Sequence, residues 1–535
     1  MEHSPERQEP APGGGVIRRA AWSRLGRGVG RGGASPRARR GRPVARWRRR
    51  LLLASGLSFG LLTGAFGSTG AMAVGGVGSA ASRCDTTPTG SRVQDYYLPF
   101  TVPPGLMPDP QFDGRQAKIQ VHRVRPVYAH GKCRNVPNRA AVLVHGRNLP
   151  NTPVFDLRLA DPEGGTLSTQ RALARAGIDS FAPNLLGYGR STRFATGLDD
   201  PGNASLRPYL PDGSCPNPEG CDRSHLPFFR LDQQGTQLLN NPLGGQRRAH
   251  SSNSRFARVD LWVRDIRQVI DDAIARARPK DGKVTLVGFS LGGQHVARTL
   301  YAANPVLPGS AAVIAKVNRA VFASSIFGTP TEEGRPATGF TSFPTNLSTR
   351  SDSDGTWAMA PDRDAACTGH VVPGSQQQLW TQLMEEDRLG STWGGTDPHH
   401  PSGVSRAPTF SSYGWNAAVA RQQTTPSLVI DGLEDQTPLA TPADSRALYN
   451  SLGTANKVLV QVQCASHAML FQGCSGPRCT PQSGTPYGGR PGRPWAGPHA
   501  TVQAALVEWI KNGTFNGSPN GRFTVNESGV ANPSP

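Results

Sequence analysis

The chain has 535 residues, which is enough to bury a large hydrophobic core and to form more than one domain. Its formal net charge is +20, but residues 1–50 account for +11 of it, with 14 Arg against 3 Glu. The rest of the chain has no basic run interleaved with aromatic residues, so the charge does not indicate a nucleic-acid-binding protein.

Residues 1–73 have the features of an export signal with an extended basic n-region. Residues 46–50 read Arg-Trp-Arg-Arg-Arg and lead into an uncharged stretch at 51–68, after which Ala71-Met72-Ala73 offers small residues to a signal peptidase. Five glycines and three serines at 51–70 weaken this stretch as a membrane-spanning helix. We therefore predict cleavage after Ala73 and a secreted, extracellular product with no permanent membrane span, exported by the Sec or the twin-arginine pathway.

The segment that follows, 74–92, is rich in Gly, Ser and Thr and is predicted to be a flexible linker. Beyond it, apolar runs of strand length alternate with segments whose apolar residues recur at helical spacing. Strands are predicted at 96–102, 117–124, 140–144, 178–183, 284–287, 317–323, 427–430 and 457–462. Helices are predicted at 168–176, 259–278, 294–303, 442–452 and 502–511. This alternation predicts a doubly wound, mostly parallel sheet with functional residues at the carboxyl ends of its strands.

Two long irregular segments interrupt the pattern. One, at 194–254, lies inside the first predicted part of the core, 93–323. The other, at 324–425, separates that part from the second, 426–512. The tail at 513–535 is rich in Gly, Asn, Ser and Pro and is predicted to be disordered.

The 324–425 insertion is predicted to form a lid or cap because it contains four of the nine tryptophans, Trp357, Trp380, Trp393 and Trp415. An apolar lid over a binding site would use such residues. The alternative is that they build a small satellite core. The sequence leaves both interpretations open.

All eight cysteines follow the predicted cleavage point, and no Cys-x-x-Cys spacing occurs. An even number of cysteines in an exported chain indicates disulfides rather than a metal site, so we predict no metal site. Two pairs of cysteines are close enough in sequence to form short rings. The other four cysteines allow three pairings, and we favour the one that joins the two cysteines before the central sheet. The predicted bonds are Cys215–Cys221, Cys474–Cys479, Cys84–Cys133 and Cys367–Cys464.

The most specific motif is Gly-Phe-Ser-Leu-Gly-Gly at 288–293, which follows a predicted strand and precedes a predicted helix. Small residues at Gly288 and Gly292 allow a turn sharp enough to hold the Ser290 hydroxyl above the edge of a sheet. A glycine-rich turn that only packs a helix against a strand is the alternative. The order of strand, motif and helix favours a nucleophilic serine at position 290.

With this motif, the chain resembles the α/β-hydrolase family, and more specifically secreted bacterial serine hydrolases of the esterase and lipase kind. The resemblance covers nearly all of 95–512 and rests on five motifs in the family's order. These are His145-Gly146, the Gly-Tyr-Gly-Arg-Ser of 187–191, the motif at 288–293, the Gly-Leu-Glu-Asp-Gln-Thr-Pro of 432–438 and the Ser-His-Ala-Met of 466–469. It implies the α/β-hydrolase fold with a lid or cap insertion.

The family order of serine, acid and histidine implies the roles of three residues. His467 follows the last predicted strand directly and is expected to be the base that activates Ser290, whereas His499 lies further on. Asp435 matches the acid that orients the base, with Glu434 as a rival because sequence alone does not fix the register of a loop.

The backbone N–H groups of Leu291 and Arg147 are implied as donors to the oxyanion. His145 is expected to hold its loop rather than to catalyse. No metal or organic cofactor is implied.

The sequence therefore predicts a secreted serine hydrolase that forms an acyl-enzyme with a small-molecule or polymeric ester. An aminopeptidase-like serine peptidase of the same fold is a less favoured alternative, because the loop at 145–150 lacks the glycine-rich segment of such enzymes. A binding protein that kept the fold without catalysis is the other alternative.

Overall fold

The described part of the chain is built around a ten-stranded sheet. Its strands are β1 Gly90–Thr101, β2 Gln116–Val127, β3 Arg139–Val144, β4 Ile178–Pro183, β5 Val284–Phe289, β6 Val317–Ala323, β7 Ser427–Gly432, β8 Lys457–Val462, β9 Gly521–Val525 and β10 Ala531–Pro533. They lie in the order β1-β2-β4-β3-β5-β6-β7-β8-β9-β10. The strands from β4 to β9 run parallel, whereas β1, β2 and β10 pair in antiparallel fashion.

The computed structural model describes residues 84–107, 110–160, 166–194, 228–231, 238–240, 256–304, 307, 309–331, 345–348, 350–357, 367, 369–388, 390–392, 403, 405–408, 410–474, 487 and 495–535. These residues all belong to one unit, Gly78–Pro535. The predicted export signal, and most of the insertion at 194–254, lie outside them.

Helices flank the sheet. They are α1 Asn151–Phe155, α2 Thr169–Arg175, α3 Val259–Ala277, α4 Leu291–Thr299, α5 Ser310–Ile314, α6 Arg350–Asp354, α7 Ser375–Glu386, α8 Ala417–Ala420, α9 Pro442–Ser451 and α10 Pro498–Asn512. Short 3-10 helices lie at Pro110–Phe112, Gly355–Trp357 and Gly390–Thr392. Three two-stranded pairings join Phe228–Leu231 to Leu238–Asn240, Ala257–Arg258 to Phe410–Ser411, and Thr345–Ser348 to Ser405–Pro408. None of the helices in the described ranges is long and apolar enough to cross a membrane.

Side chains of successive residues in β3 enter two different hydrophobic cores. Val142 and Val144 pack on one face of the sheet, whereas Ala141 and Leu143 pack on the other. A strand buried on both faces needs apolar residues at every position, which explains the continuous apolar run in the sequence. This mostly parallel sheet, covered by helices and carrying Ser290 on the turn after β5, has the α/β-hydrolase fold, and the predicted fold class is confirmed.

The predicted disordered tail is wrong for its second half. β9 pairs with β8, and β10 pairs with β9, so the tail extends the sheet by two strands. Phe523 and Val525 enter the same core as Val458, Val460 and Val462 of β8. The glycine-rich composition that suggested disorder belongs to the turn before β9, and these two apolar side chains provide the burial that fixes the strands.

The predicted flexible linker is also partly wrong. Cys84 forms a disulfide with Cys133, and the Asp85 amide donates to the Gly131 carbonyl (2.8 Å). β1 begins at Gly90 rather than at 96. Residues 84–92 are therefore fixed to the body by a covalent bond and backbone hydrogen bonds.

Three tryptophans of the 324–425 insertion are core residues. Trp357 and Trp380 lie in one of the two large cores, and Trp415 lies in the other, where it packs against Phe322 at 5.3 Å between ring centroids. Trp393 lies outside the described residues. Here the tryptophans fill the main cores, which corresponds to neither an exposed apolar lid nor a separate satellite core.

Polar contacts join α7 of this insertion to the body. The Gln382 side chain accepts a hydrogen bond from the Arg158 amide (2.6 Å) and donates one to the Asp156 carbonyl (3.1 Å). Glu386, at the end of α7, accepts one from the Asn184 side chain (3.2 Å). These buried bonds fix α7 beside the sheet because breaking them would leave polar groups unsatisfied.

His122 shares the partner Asp156 with this contact and is charged at neutral pH. Its Nδ1 is 2.8 Å from Asp95 and its Nε2 is 3.1 Å from Asp156, so both ring nitrogens face carboxylates and both must donate. Burial alone would lower the pKa of His122, but the hydrogen bonds and charges of the two aspartates outweigh it and raise the pKa to about 9.

This pKa makes stability depend on pH. The unfolded pKa of histidine is about 6.5, so the contribution of His122 is complete below that pH and is lost as the pH rises towards 9. We expect the free energy of unfolding, measured in urea, to fall by up to about 3 kcal/mol across this window. His122→Gln should remove that fall. His130→Gln is the control, since His130 is an exposed partner of Asp85; an equal fall in His122→Gln and the unchanged protein would contradict the assignment.

Candidate active site

Ser290 lies on the turn between β5 and α4. Its backbone has φ 55° and ψ −123°, a positive φ that residues other than glycine rarely adopt. The Ser290 amide donates to the Ala323 carbonyl at the end of β6 (2.9 Å), and the Ser290 carbonyl accepts from the Gly293 amide (3.0 Å). These bonds hold the strained turn, which places the serine at the carboxyl edge of the sheet.

Glycines make this turn sterically possible. A Cβ atom at Gly288 would lie 2.4 Å from the Gly292 carbonyl oxygen, and a Cβ at Gly292 would lie 2.2 Å from that of Val144. A Cβ at Gly146 would lie 2.8 Å from the Cβ of Ser290. All three contacts are too short for a side chain, so the glycines let the two loops approach the serine closely.

The structure brings Ser290, His467 and Asp435 together from three separate strand ends. Ser290 Oγ is 2.9 Å from His467 Nε2, and His467 Nδ1 is 2.7 Å from Asp435 Oδ2. His467 lies in the loop after β8 and Asp435 in the loop after β7. The arrangement is a relay in which a carboxylate orients an imidazole and the imidazole faces a hydroxyl.

Asp435 rather than Glu434 supplies the carboxylate that contacts His467. The other carboxylate oxygen of Asp435 accepts a hydrogen bond from the Thr437 amide (2.8 Å). The Glu434 amide donates to the Ala465 carbonyl (2.9 Å), which joins the two loops. One loop residue therefore contacts the histidine while its neighbour helps to hold the loops together.

Asp431 is a second carboxyl group near the relay, and it is not among the site residues predicted from the sequence. It is fully buried at the end of β7, where the hydroxyls of Ser445 (2.9 Å) and Ser324 (3.3 Å) lie on its two oxygens. Burial, followed by repulsion from Asp435, raises the pKa of Asp431 well above its ordinary range. The sequence signal that could have identified Asp431 is its position directly before the glycine that ends the strand.

His145 holds its loop and lies outside the relay. Its Nδ1–H donates to the Gly146 carbonyl (2.8 Å), and its Nε2 accepts from the Leu185 amide (3.2 Å), so the ring is neutral. Burial lowers the pKa of His145 to about 4. Tyr188, from the motif at 187–191, packs edge-on against this ring at 4.5 Å.

Two other histidines also lie apart from the relay. His295 is buried in α4 and packs against Trp262 at 4.9 Å between ring centroids. His499 hydrogen-bonds the Gln472 carbonyl (2.9 Å) at the start of α10. His399 and His400 lie outside the described residues. In the ranges that are described, no cluster of three or more His, Cys, Asp or Glu side chains is arranged to hold a metal ion.

A cavity of about 460 Å³ opens at Ser290 and His467. Arg147 and Leu291, whose amides were expected to serve as oxyanion donors, both form part of its wall. Its full lining comprises Arg147, Asn148, Leu149, Phe289, Ser290, Leu291, Ile326, Ser353, Thr356, Leu383, Ser412, Thr437, Pro438, Leu439, His467, Ala468 and Phe471. Most of these side chains are apolar, and five of the residues come from the 324–425 insertion beyond β6.

Two disulfides link described cysteines, and both match the predicted long-range pairs. Cys84 is bonded to Cys133, and Cys367 is bonded to Cys464, three residues before His467. The second bond ties the insertion to the loop that carries the histidine. Cys474 is also disulfide-bonded. Cys215, Cys221 and Cys479 lie outside the described residues, so the two predicted short rings remain predictions.

Comparison with known proteins gives structural neighbours only. No protein-family model matches the chain, and no curated protein matches it significantly. A monoacylglycerol lipase from Paleococcus ferrophilus is 14% identical, covering 78% of this chain and 98% of its own, with a TM-score of 0.33. A soluble variant of Saccharomyces cerevisiae monoglyceride lipase is 11% identical over 78% and 97%, with a TM-score of 0.37. A thioesterase domain from the curacin biosynthetic pathway is 14% identical over 71% and 95%, with a TM-score of 0.33.

Proposed function

We propose that this chain is a secreted serine hydrolase that cleaves carboxylic esters through an acyl-enzyme on Ser290. The observation that carries the proposal is the hydrogen-bonded series Ser290–His467–Asp435 on a strained turn at the mouth of a cavity. A serine hydroxyl attacks a carbonyl only when a base takes its proton, and this arrangement supplies that base.

The steps follow from these contacts. His467 Nε2 accepts the proton of Ser290 Oγ as the oxygen attacks the ester carbonyl, and Asp435 stabilises the imidazolium that forms. The amides of Leu291 and Arg147 donate to the carbonyl oxygen as it becomes negative. The imidazolium then protonates the leaving alkoxide. Water, deprotonated by His467, releases the acid from Ser290 in the second half of the reaction.

The cavity favours an ester over a peptide with a free amino terminus. An aminopeptidase needs an anionic group to bind the substrate ammonium, and the walls formed by the described residues contain no carboxylate. Leu149, Leu383 and Phe471 instead offer apolar surface to an acyl or alkyl group. These features support an ester with an apolar acyl or alkyl group as the substrate class.

The test combines a fluorophosphonate probe with a substrate panel. The probe should label the protein covalently, which would exclude a binding protein that lacks catalysis. We expect p-nitrophenyl esters of increasing chain length to be hydrolysed and aminoacyl nitroanilides to remain intact. Faster cleavage of the nitroanilides would replace the esterase proposal by the peptidase alternative.

Export of the chain makes its own prediction. The secreted protein should begin near Val74, because the small residues at 71–73 end the predicted signal. Disulfides, which form in oxidising compartments, support this proposal. Amino-terminal sequencing of protein from the culture medium checks it; a product that still carries the first fifty residues would contradict cleavage at this site.

The Cys367–Cys464 bond is expected to limit the substrate range. It closes a loop across 97 residues, so replacing both cysteines by serine should lower the free energy of unfolding by about 4 to 5 kcal/mol. Because the insertion supplies Thr356 and Leu383 to the cavity wall, the variant should also accept longer acyl chains than the unchanged protein. Urea denaturation and the ester panel measure the two effects.

The control is the double serine variant of Cys84 and Cys133, whose loop spans 49 residues, none of which lines the cavity. It should lose stability without any change in the preferred chain length. An equal change of preference in both variants would show that the effect arises from lower stability and not from the insertion.

A further inference from the structure

A second cavity lies at the opposite edge of the sheet from Ser290. Its volume is about 470 Å³, which is within the range of roughly 300–1,000 Å³ typical of ligand pockets. Lys283 in its wall directly precedes β5, whereas Ser290 directly follows β5. Six strand residues separate the two sites by about 20 Å. The cavity is therefore not part of the candidate active site.

Five cations line this cavity, which we call the basic cavity, against one carboxylate. The cations are Arg139, Lys280, Lys283, Arg319 and Lys511. Within the described ranges none of the five forms a salt bridge, since the ion pairs there involve other cations. The carboxylate, Asp281, is already engaged because it accepts from the Lys283 amide and from the Asn318 side chain.

The two guanidinium groups have structural contacts that leave donors available. Arg319 donates to the Ile510 carbonyl (3.1 Å), and Arg139 donates to that of Lys511 (3.5 Å), both at the end of α10. Each bond uses one N–H of five. Burial and repulsion from Arg139 lower the pKa of Lys511. Burial also lowers the pKa of Arg319, where repulsion from Arg139 adds to it and the charge of Asp281 offsets part of the shift. The fold thus keeps like charges close together at a cost that an anion would relieve.

We propose that the basic cavity binds a small polyanion that carries phosphate or sulfate groups. Guanidinium groups match such oxyanions with paired hydrogen bonds, and ammonium groups add point charges around them. The volume accommodates more than one anionic group. No aromatic side chain lines the cavity in the described residues, so the bases of a single-stranded nucleic acid would find no surface on which to stack.

A neighbouring cavity extends the positive surface. It has a volume of about 200 Å³, shares Asn138 and Arg139 with the basic cavity, and adds Arg125 and Lys132. Burial and repulsion from Arg139 lower the pKa of Lys132 as well. A polyanion larger than the basic cavity would therefore meet more positive charge along this side.

The test uses the full chain and inorganic tripolyphosphate. Tripolyphosphate should raise the melting temperature more than sodium chloride of equal ionic strength, and calorimetry should give a saturable Kd. Replacing Lys280 and Lys283 together by glutamine should weaken binding by about tenfold or more. Ser290→Ala should bind as the unchanged protein does, which separates this site from the proposed catalytic function.

The matched control replaces Lys316 and Lys457 by glutamine. Both lie at the same edge of the sheet, but Lys316 pairs with Asp271 and Lys457 donates to the Leu452 carbonyl, and neither lines the basic cavity. This variant loses the same charge and keeps the other basic residues, so it reports any non-specific binding. Equal loss of affinity in the two double variants, or no binding beyond the sodium chloride effect, would overturn the proposal.

Two further arms identify the source of the anion. Binding to vesicles that contain phosphatidylglycerol, with none to phosphatidylcholine alone, would assign the phosphate to a lipid if the Lys280 and Lys283 variant loses it. Binding to tripolyphosphate without the vesicles would assign a free polyanion. Binding only to duplex DNA would overturn the small-polyanion assignment.

Discussion

Replacing Ser290 by alanine is expected to lower the turnover of esters by about five to six orders of magnitude. The Ser290 hydroxyl is 2.9 Å from His467 Nε2, and no other described hydroxyl forms a hydrogen bond with that nitrogen. The amides that line the cavity remain in the variant, so a small residual rate above that in water should persist. Hydrolysis rates with the best p-nitrophenyl ester, together with fluorophosphonate labelling, measure the loss of turnover.

The fold should survive this change because alanine meets the same backbone strain as serine at φ 55°. The control is Ser325→Ala. Its hydroxyl lies against Gly293 of the same turn and donates to the Ile326 carbonyl, without contact to His467. Full labelling of the Ser325 variant and none of the Ser290 variant is the expected pair of results. Labelling that survives in Ser290→Ala would move the nucleophile elsewhere.

The interior strands of the sheet were predicted to within two residues. β4, β6 and β8 have the predicted bounds, whereas β3, β5 and β7 are one or two residues longer than predicted. Apolar side chains on both faces give such strands a strong signal, even where a polar residue such as Asp179 or Arg319 interrupts the run. β1 was predicted to begin six residues too late, at 96 instead of Gly90, since it is an edge strand with exposed side chains along much of its length. Periodicity reports burial, and an edge strand has little of it.

Sequence motifs and their order along the chain were enough to predict which residues meet at the candidate site, but not where the helix beside it begins. α4 begins at Leu291, immediately after Ser290, although it was predicted from 294. Gly292 and Gly293 look unfavourable for a helix, but their missing side chains are what allows it to pack against the β3 loop and Ser325. A local propensity was overridden by a tertiary contact at the functional turn.

The insertion was not predictable, because polar contacts between distant segments hold it. Gln382 of α7 reaches Arg158, and Glu386 reaches Asn184, with more than 200 residues between each pair. Such bonds leave no periodic pattern in the sequence. The cavity wall that this insertion supplies, including Leu383, therefore became visible only in the structure.

The choice between Asp435 and Glu434 as the acid gives the second large effect. In Asp435→Asn, the amide oxygen is expected to keep the hydrogen bond from the Thr437 amide, which turns the NH₂ group towards His467 Nδ1. Nδ1 must then accept, so the proton of a neutral imidazole moves to Nε2, where it faces Ser290 Oγ and cannot remove the serine proton. This wrong tautomer should lower kcat by about four orders of magnitude.

Glu434→Gln is the matched control because it removes the same charge from the adjacent residue, and its turnover should stay within a few-fold of the unchanged protein. Asp431→Asn tests the buried carboxyl group at the end of β7. Burial raises the pKa of Asp431 and so favours its neutral form, and an amide should therefore replace it with little loss of turnover, whereas loss of the Asp435 carboxylate that contacts His467 should be severe. If Asp435→Asn and Glu434→Gln lowered turnover equally, turnover would depend on the negative charge of the loop rather than on one hydrogen bond to His467. Greater damage from Glu434→Gln would transfer the acid role to Glu434, and the hydrogen bond at 2.7 Å would then not be the one that orients the base during catalysis.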